Sequence, residues 1–151
     1  MRSSEVIGIM PDIWVATAEG VLRNGDDELP GPMTALERHG DSWWAIVDHK
    51  EIRRRHPSGE WRTVASNDAH PLNCLLPLDD RVLAGTSEAH LVRIADDAVE
   101  LVESFEVAEG RNDWYTPWGG PPDVRSIAAD DSGAIFVNVH VGGILRSVDG
   151  G

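Results

Sequence analysis

Positive charge, cysteine and long apolar runs are all scarce in this chain, and each scarcity narrows what it can be. Against 26 Asp and Glu stand 13 Lys and Arg, a formal net charge of −13. Every contact to a nucleic-acid phosphate needs a Lys or Arg, so the balance argues against a nucleic-acid surface and against an anionic membrane. Cys74 is the sole cysteine, which excludes an intrachain disulfide and a thiolate metal cluster. No apolar stretch approaches the ~20 residues that span a bilayer, and residues 1–8 hold no apolar run of the signal-peptide kind. The expectation is a reduced, cytoplasmic protein. The rest of the composition is globular, with 41% hydrophobic and 26% charged residues in a chain of 151, enough for one ordinary domain.

Helix signals are nearly absent as well. Short β-branched and apolar runs are interrupted every few residues by Gly, Pro, Asp or Asn, the pattern of many short strands. Four segments, 12–23, 44–53, 81–93 and 134–146, share a strand, a tight polar turn and a second strand ending in apolar-Arg. The shared arginines are Arg23, Arg53, Arg93 and Arg146, spaced 30, 40 and 53 residues apart. Propeller blades of four strands repeat at about 40–50 residues, so the short interval implies a trimmed turn and the long one an insertion.

The units fill out to strands as follows. The second takes 33–38, 43–48, 51–55 and 60–65; the third takes 72–78, 81–85, 90–94 and 99–105; the fourth takes 124–129, 135–139 and 144–147. The first unit lacks its innermost strand or borrows it from 6–10. The fold class expected is therefore all-β and β-propeller-like, with three to four blades at roughly 6–30, 33–65, 70–105 and 122–151, and an insertion loop at 106–122.

The chain closes on Ser147-Val148-Asp149-Gly150-Gly151, the first half of the turn Ser-x-Asp-x-Gly-x-Thr-Trp. In that turn the Asp carboxylate accepts backbone N–H groups and the Gly takes a positive φ. His56-Pro57-Ser58-Gly59-Glu60-Trp61 keeps the Gly and Trp of such a turn without its Asp. On these residues the chain resembles the Asp-box (bacterial neuraminidase repeat) propellers of the sialidase-like superfamily, and within it uncharacterised bacterial members labelled glycosyl hydrolase or exo-sialidase-like. The resemblance implies a fragment of a six- or seven-bladed parent, with exposed blade edges available for self-association. It does not choose between enzyme and binding scaffold, since the fold hosts both.

The insertion is the strongest place for a function, because long loops in compact domains are functional or disordered and this one is too aromatic for disorder. Trp114, Tyr115 and Trp118 offer flat apolar faces with polar edges, suited to stacking on sugar rings or cations. The loop runs into Asp123 and Arg125 on the expected innermost strand, where Arg125 could fork onto a carboxylate or phosphate. His140, at the end of a second strand, completes the candidate set. The competing view is that the aromatics plug a gap between blades and that Arg125 pairs with Asp123.

No catalytic residue, cofactor or metal site is expected. The six histidines have no His-x-x-x-His spacing, so a metal would need ligands from separate blades. Arg53, Arg54 and Arg55 alternate between faces, which weakens an anion patch. The carboxylate pairs 26–27, 79–80, 96–97 and 130–131 sit in turns that Asp itself favours. A sialidase of the resembling superfamily would need three converging arginines, a Tyr–Glu pair and an Asp acid–base. This chain has only Tyr115 and no Arg-Ile-Pro-type motif. The expected function is a non-catalytic propeller scaffold that binds a protein partner, small molecule or glycan at the face carrying 111–125. The alternative is a sialidase-like glycoside hydrolase whose other catalytic residues lie in a missing C-terminal half.

Overall fold

The computed structural model describes residues 11–96 and 98–150. Fourteen strands among them form four antiparallel sheets, each a meander of strands consecutive in sequence. The first sheet comprises β1 (Trp14–Ala16), β2 (Gly20–Arg23) and β3 (Asp26–Pro30). The second comprises β4 (Met33–His39), β5 (Ser42–Val47), β6 (Glu51–Arg55) and β7 (Trp61–Ser66). The third comprises β8 (Leu72–Pro77), β9 (Val82–Thr86), β10 (Leu91–Ala95) and β11 (Ala98–Leu101). The fourth comprises β12 (Val124–Ala129), β13 (Ile135–Val139) and β14 (Gly143–Ser147). The sheets are blade-like and are not closed into a ring.

Alternation along the strands explains the stacking. In β5, Ala45 and Val47 face the first sheet and join Val21 and Leu29 in one core. Trp44 and Ile46 face the third sheet and join Leu72, Leu75, Val82 and Ala84 in another. In β9 the same parity sends Leu83 the other way, toward Val124, Ile135, Val137 and Val139 of the fourth sheet. A strand buried on both faces needs apolar residues at every position, which is why 43–47 and 82–84 read as unbroken hydrophobic runs. Each fully buried Leu, Ile or Val contributes about 1.5–3 kcal/mol, and three such cores hold the four sheets face to face.

The sheets also repeat one another in backbone detail. The first strand of each of the last three sheets is bulged just after its first residue, between Met33 and Ala35, Leu72 and Cys74, and Val124 and Ser126. In the same three sheets, the residue opening the turn after the second strand donates its N–H to the residue preceding the first strand: Asp48 to Pro32 (2.8 Å), Ser87 to Pro71 (2.9 Å) and His140 to Asp123 (2.9 Å). These bonds gather the sheet-to-sheet connections and the second-to-third-strand turns on one side of the molecule, called here the loop face.

The expected strand at 99–105 ends at Leu101, and Glu103–Glu106 forms a single helical turn, α1. Val102 and Phe105 are both buried, a three-residue spacing that fits a helical turn and not a strand. The insertion thus begins at Val102 and not at 106. The strand proposed at 6–10 and the last residue of the half-box, Gly151, lie outside the described residues.

Candidate ligand face and histidine cluster

The aromatic insertion sits on the loop face and divides its side chains between core and solvent. Pro122 and Thr116 are buried and pin it down. Gly119 N donates to Thr116 O (2.9 Å), Thr116 N donates to Gly120 O (3.0 Å), and the Thr116 hydroxyl donates to Gly119 O (2.8 Å). Gly119 and Gly120 take φ of +90° and +93°, which only glycine adopts without strain, so the chain reverses sharply around Trp118. Trp118 is consequently 71% exposed and Tyr115 70% exposed. The Trp118 ring leans on the imidazole of His140, with centroids 5.5 Å apart.

Trp114 behaves differently. It is half-buried against the core between the third and fourth sheets, 6.0 Å from Phe105 by ring centroids, with the Arg111 guanidinium over both rings. For this one aromatic the gap-filling role applies. Arg125 is the bulged residue of β12, and its guanidinium pairs with Asp123 at 3.1 Å. The structure therefore brings Trp118 and His140 together and Asp123 and Arg125 together, and turns Trp114 inward.

The equivalent bulged residues of the other sheets are polar as well. The Thr34 hydroxyl accepts the His49 N–H (3.1 Å), and Asn73 Nδ2 donates to the Ser87 hydroxyl (3.3 Å). The first strands of the last three sheets thus present Thr34, Asn73 and Arg125 at matching positions on the loop face.

The same face holds residues that the sequence reading did not single out. His70 precedes β8, and Glu88 and His90 lie in the turn between β9 and β10. One ligating atom from each lies within 4.8 Å of the others. The imidazoles of His70 and His90 meet in a tilted contact, with centroids 4.2 Å apart. His90 Nδ1 is 2.9 Å from Glu106 Oε2, which also accepts from Arg111 Nη2 (2.9 Å), while Arg111 Nη1 donates to the Ala89 carbonyl. Glu88 and Ala89 hold φ of +64° and +53°, uncommon for residues with a Cβ, and this shapes the turn that carries Glu88. Where the sequence reading looked for ligands from separate blades, these three side chains come from the link into the third sheet and from a turn within it. The available signal was the repeat itself, which puts the residue before a first strand beside the turn after the second.

The remaining histidines and the arginines are locally engaged. His39 Nε2 meets Asp79 (2.8 Å), His49 Nδ1 meets Leu72 O (3.0 Å), and His56 Nδ1 meets the Ser58 hydroxyl (3.0 Å). Arg53 pairs with Glu51 (2.7 Å), Arg54 lies over Trp44, and Arg55 pairs with Glu28 (3.0 Å). Arg23 pairs with Asp12 (2.5 Å), Arg93 with Glu100 (3.1 Å), and Arg146 lies over Phe136. Arg23, Arg53, Arg93 and Arg146 lie on β2, β6, β10 and β14 of four separate sheets and do not converge.

An apolar cavity of about 320 Å³ also opens between α1 and β14, lined by Leu91, Val102, Phe105, Ile135, Val137 and Leu145 among others.

The fold and face define a class of all-β chain built from consecutive blade-like meander sheets. No protein-family model and no curated protein matches the chain. Among solved structures it is similar to the computationally designed Ika4 protein, with a TM-score of 0.57 and 12% identity over 90% of this chain and 84% of that one. It is also similar to the extracellular domain of the proposed one component system BT4673 from B. thetaiotaomicron, with a TM-score of 0.58 and 17% identity. The computationally designed Ika8 protein matches with a TM-score of 0.58 and 11% identity. The chain spans 20% of the BT4673 domain's length and 43% of Ika8. At these identities the likeness is one of fold.

Proposed function

We propose that the four sheets are consecutive blades of a β-propeller of Asp-box type, and that the chain is a non-catalytic scaffold binding a partner or small ligand on its loop face. Three matching bulges and three matching turn bonds support the blade reading. The turn at 56–61 supports the Asp-box part: it joins the third and fourth strands of its sheet, Gly59 has φ of +97°, and Trp61 packs between the first and second sheets.

The observation that carries the binding function is the exposure of Trp118. A tryptophan left about seven-tenths in water, at the tip of a turn whose other residues are pinned, is placed for contact and not for packing. His140 beneath it and Tyr115 nearby in the chain make a platform suited to a sugar ring, a planar group or a cation. The hydrolase alternative has less support. Arg125 is engaged by Asp123, and the recurrent arginines are spread over separate sheets.

Glycan-array binding and partner pull-down, compared between the parent and Trp118→Ala, test the proposal. The expected result is a signal that Trp118→Ala removes while the melting temperature stays unchanged. Turnover of a fluorogenic sialoside that Arg125→Ala abolishes would replace the scaffold with an enzyme.

A further inference from the structure

Two connections of the third sheet bring His70, Glu88 and His90 together, and the Ser87-to-Pro71 backbone bond (2.9 Å) ties those connections to each other. His70 Nδ1 is buried and has no hydrogen-bond partner. It lies 3.9 Å from Glu88 Oε2. That separation is too long for a hydrogen bond, yet an ion about 2.0–2.2 Å from each atom spans it. We infer that His70, Glu88 and His90 form a binding site for a divalent transition-metal ion of the zinc type.

The chemistry around the three side chains agrees with that assignment. His90 Nδ1 faces Glu106 Oε2 at 2.9 Å and Arg111 Nη2 at 3.2 Å; in the tautomer that carries the proton on Nδ1 it donates to Glu106, and the Nε2 lone pair is left as the ligand. A carboxylate on the far nitrogen is the usual support of a metal-bound histidine, because it fixes the tautomer and raises the basicity of the ligating nitrogen. Arg111 in turn holds Glu106 at 2.9 Å and balances its charge. Glu88 then supplies the negative charge that a dication needs. Two imidazoles and one carboxylate suit zinc, nickel or copper, whereas calcium and magnesium demand an oxygen-rich shell. The 4.8 Å spread is wider than a tetrahedral ion sets, so the side chains must close on the ion, and Glu88, exposed to solvent, has room to turn. That exposure also leaves a fourth position open to water or to a ligand.

The site fixes more than an ion. Arg111 lies in the insertion just before its aromatic residues, and it reaches Glu106, the Ala89 carbonyl and the Trp114 ring. An ion on His90 therefore braces the root of the loop that carries Trp118. The inference uses none of Tyr115, Trp118, Arg125 or His140, so it stands or falls apart from the ligand-face proposal.

Calorimetric titration of the full chain with Zn²⁺ alone tests it, together with Co²⁺ absorption as a readout of coordination. The expected result is one Zn²⁺ per chain with micromolar or tighter affinity. Glu88→Gln should weaken binding about tenfold or more, and Glu106→Gln about 10–100-fold. His90→Ala should abolish specific uptake, His140→Ala should leave it unchanged, and Co²⁺ should show visible bands of a four-coordinate nitrogen–oxygen site. Glu88→Gln decides the matter even if His90→Ala fails to fold, since residue 88 packs against no core and circular dichroism verifies its fold. Absence of Zn²⁺ uptake, or uptake that Glu88→Gln leaves unaltered, would overturn the site and leave His70 and His90 as a packing pair only.

Discussion

Val124 seats its side chain directly on Gly85, so the first strand of the fourth sheet meets the second strand of the third with no Cβ between them. A Cβ built at position 85 would lie 2.6 Å from Val124 Cβ and 2.8 Å from Cys74 Sγ, closer than packed atoms approach. Val124 is also the residue from which the β12 bulge starts, so this contact sets where Arg125 emerges.

Gly85→Ala should therefore destabilise the chain by about 1–3 kcal/mol through overpacking. Urea denaturation followed by tryptophan fluorescence measures it. Val124→Ala should relieve part of that loss in the double variant, because two residues in direct contact couple. An unchanged midpoint for Gly85→Ala would mean that the sheets do not meet there.

Cys74 shares this contact, and burial pushes its thiol up to about 11, with Sγ donating to the Val124 carbonyl at 3.8 Å. The thiolate is the reactive form, and a rise of roughly two units makes it on the order of 100-fold rarer at neutral pH. Iodoacetamide at mildly alkaline pH should alkylate the native chain far more slowly than the urea-unfolded chain. Equal rates would place Cys74 at the surface.

Trp114 and Trp118 are four residues apart and should respond in opposite ways. Trp114→Ala removes a ring packed on Phe105 and should cost about 2–4 kcal/mol. Trp118→Ala removes an exposed ring and should stay within about 0.5 kcal/mol. Thermal melts of the two variants check the contrast, and equal losses would refute the division of the loop.

Asp130 caps the turn between β12 and β13. The Ser132 hydroxyl (2.6 Å) holds its carboxyl below the ordinary 3.8, with the backbone N–H groups of Ala134 (3.0 Å) and Ser132 (2.9 Å) acting the same way. A carboxyl depressed in the folded state contributes its full stabilisation above its unfolded pKa and loses it as pH falls through the folded value. The melting temperature should drop below about pH 4, and Asp130→Asn should flatten part of that drop. Parallel curves for parent and variant would remove Asp130 from the account.

Strand positions were legible because their signals are local. The three full or nearly full units match the expected strands to within one residue, except where 99–105 gives way to α1. There the residues after Leu101 answer to partners far away in sequence: Phe105 to the core of the fourth sheet, and Glu106 to His90 and Arg111. The recurring arginines were visible as repeat features, and each proves to be locally engaged.

The amino-acid order alone determined the meanders, since alternating side chains and Gly, Asp and Asn turns act over a few residues. Only the packed structure decided which loop aromatics face water, because Trp114 and Trp118 are chemically identical until Phe105 shelters one of them. It alone also assembled His70 with Glu88 and His90. Eighteen residues separate the first two in the chain, and nothing but the stacking of a connection against a turn removes that distance.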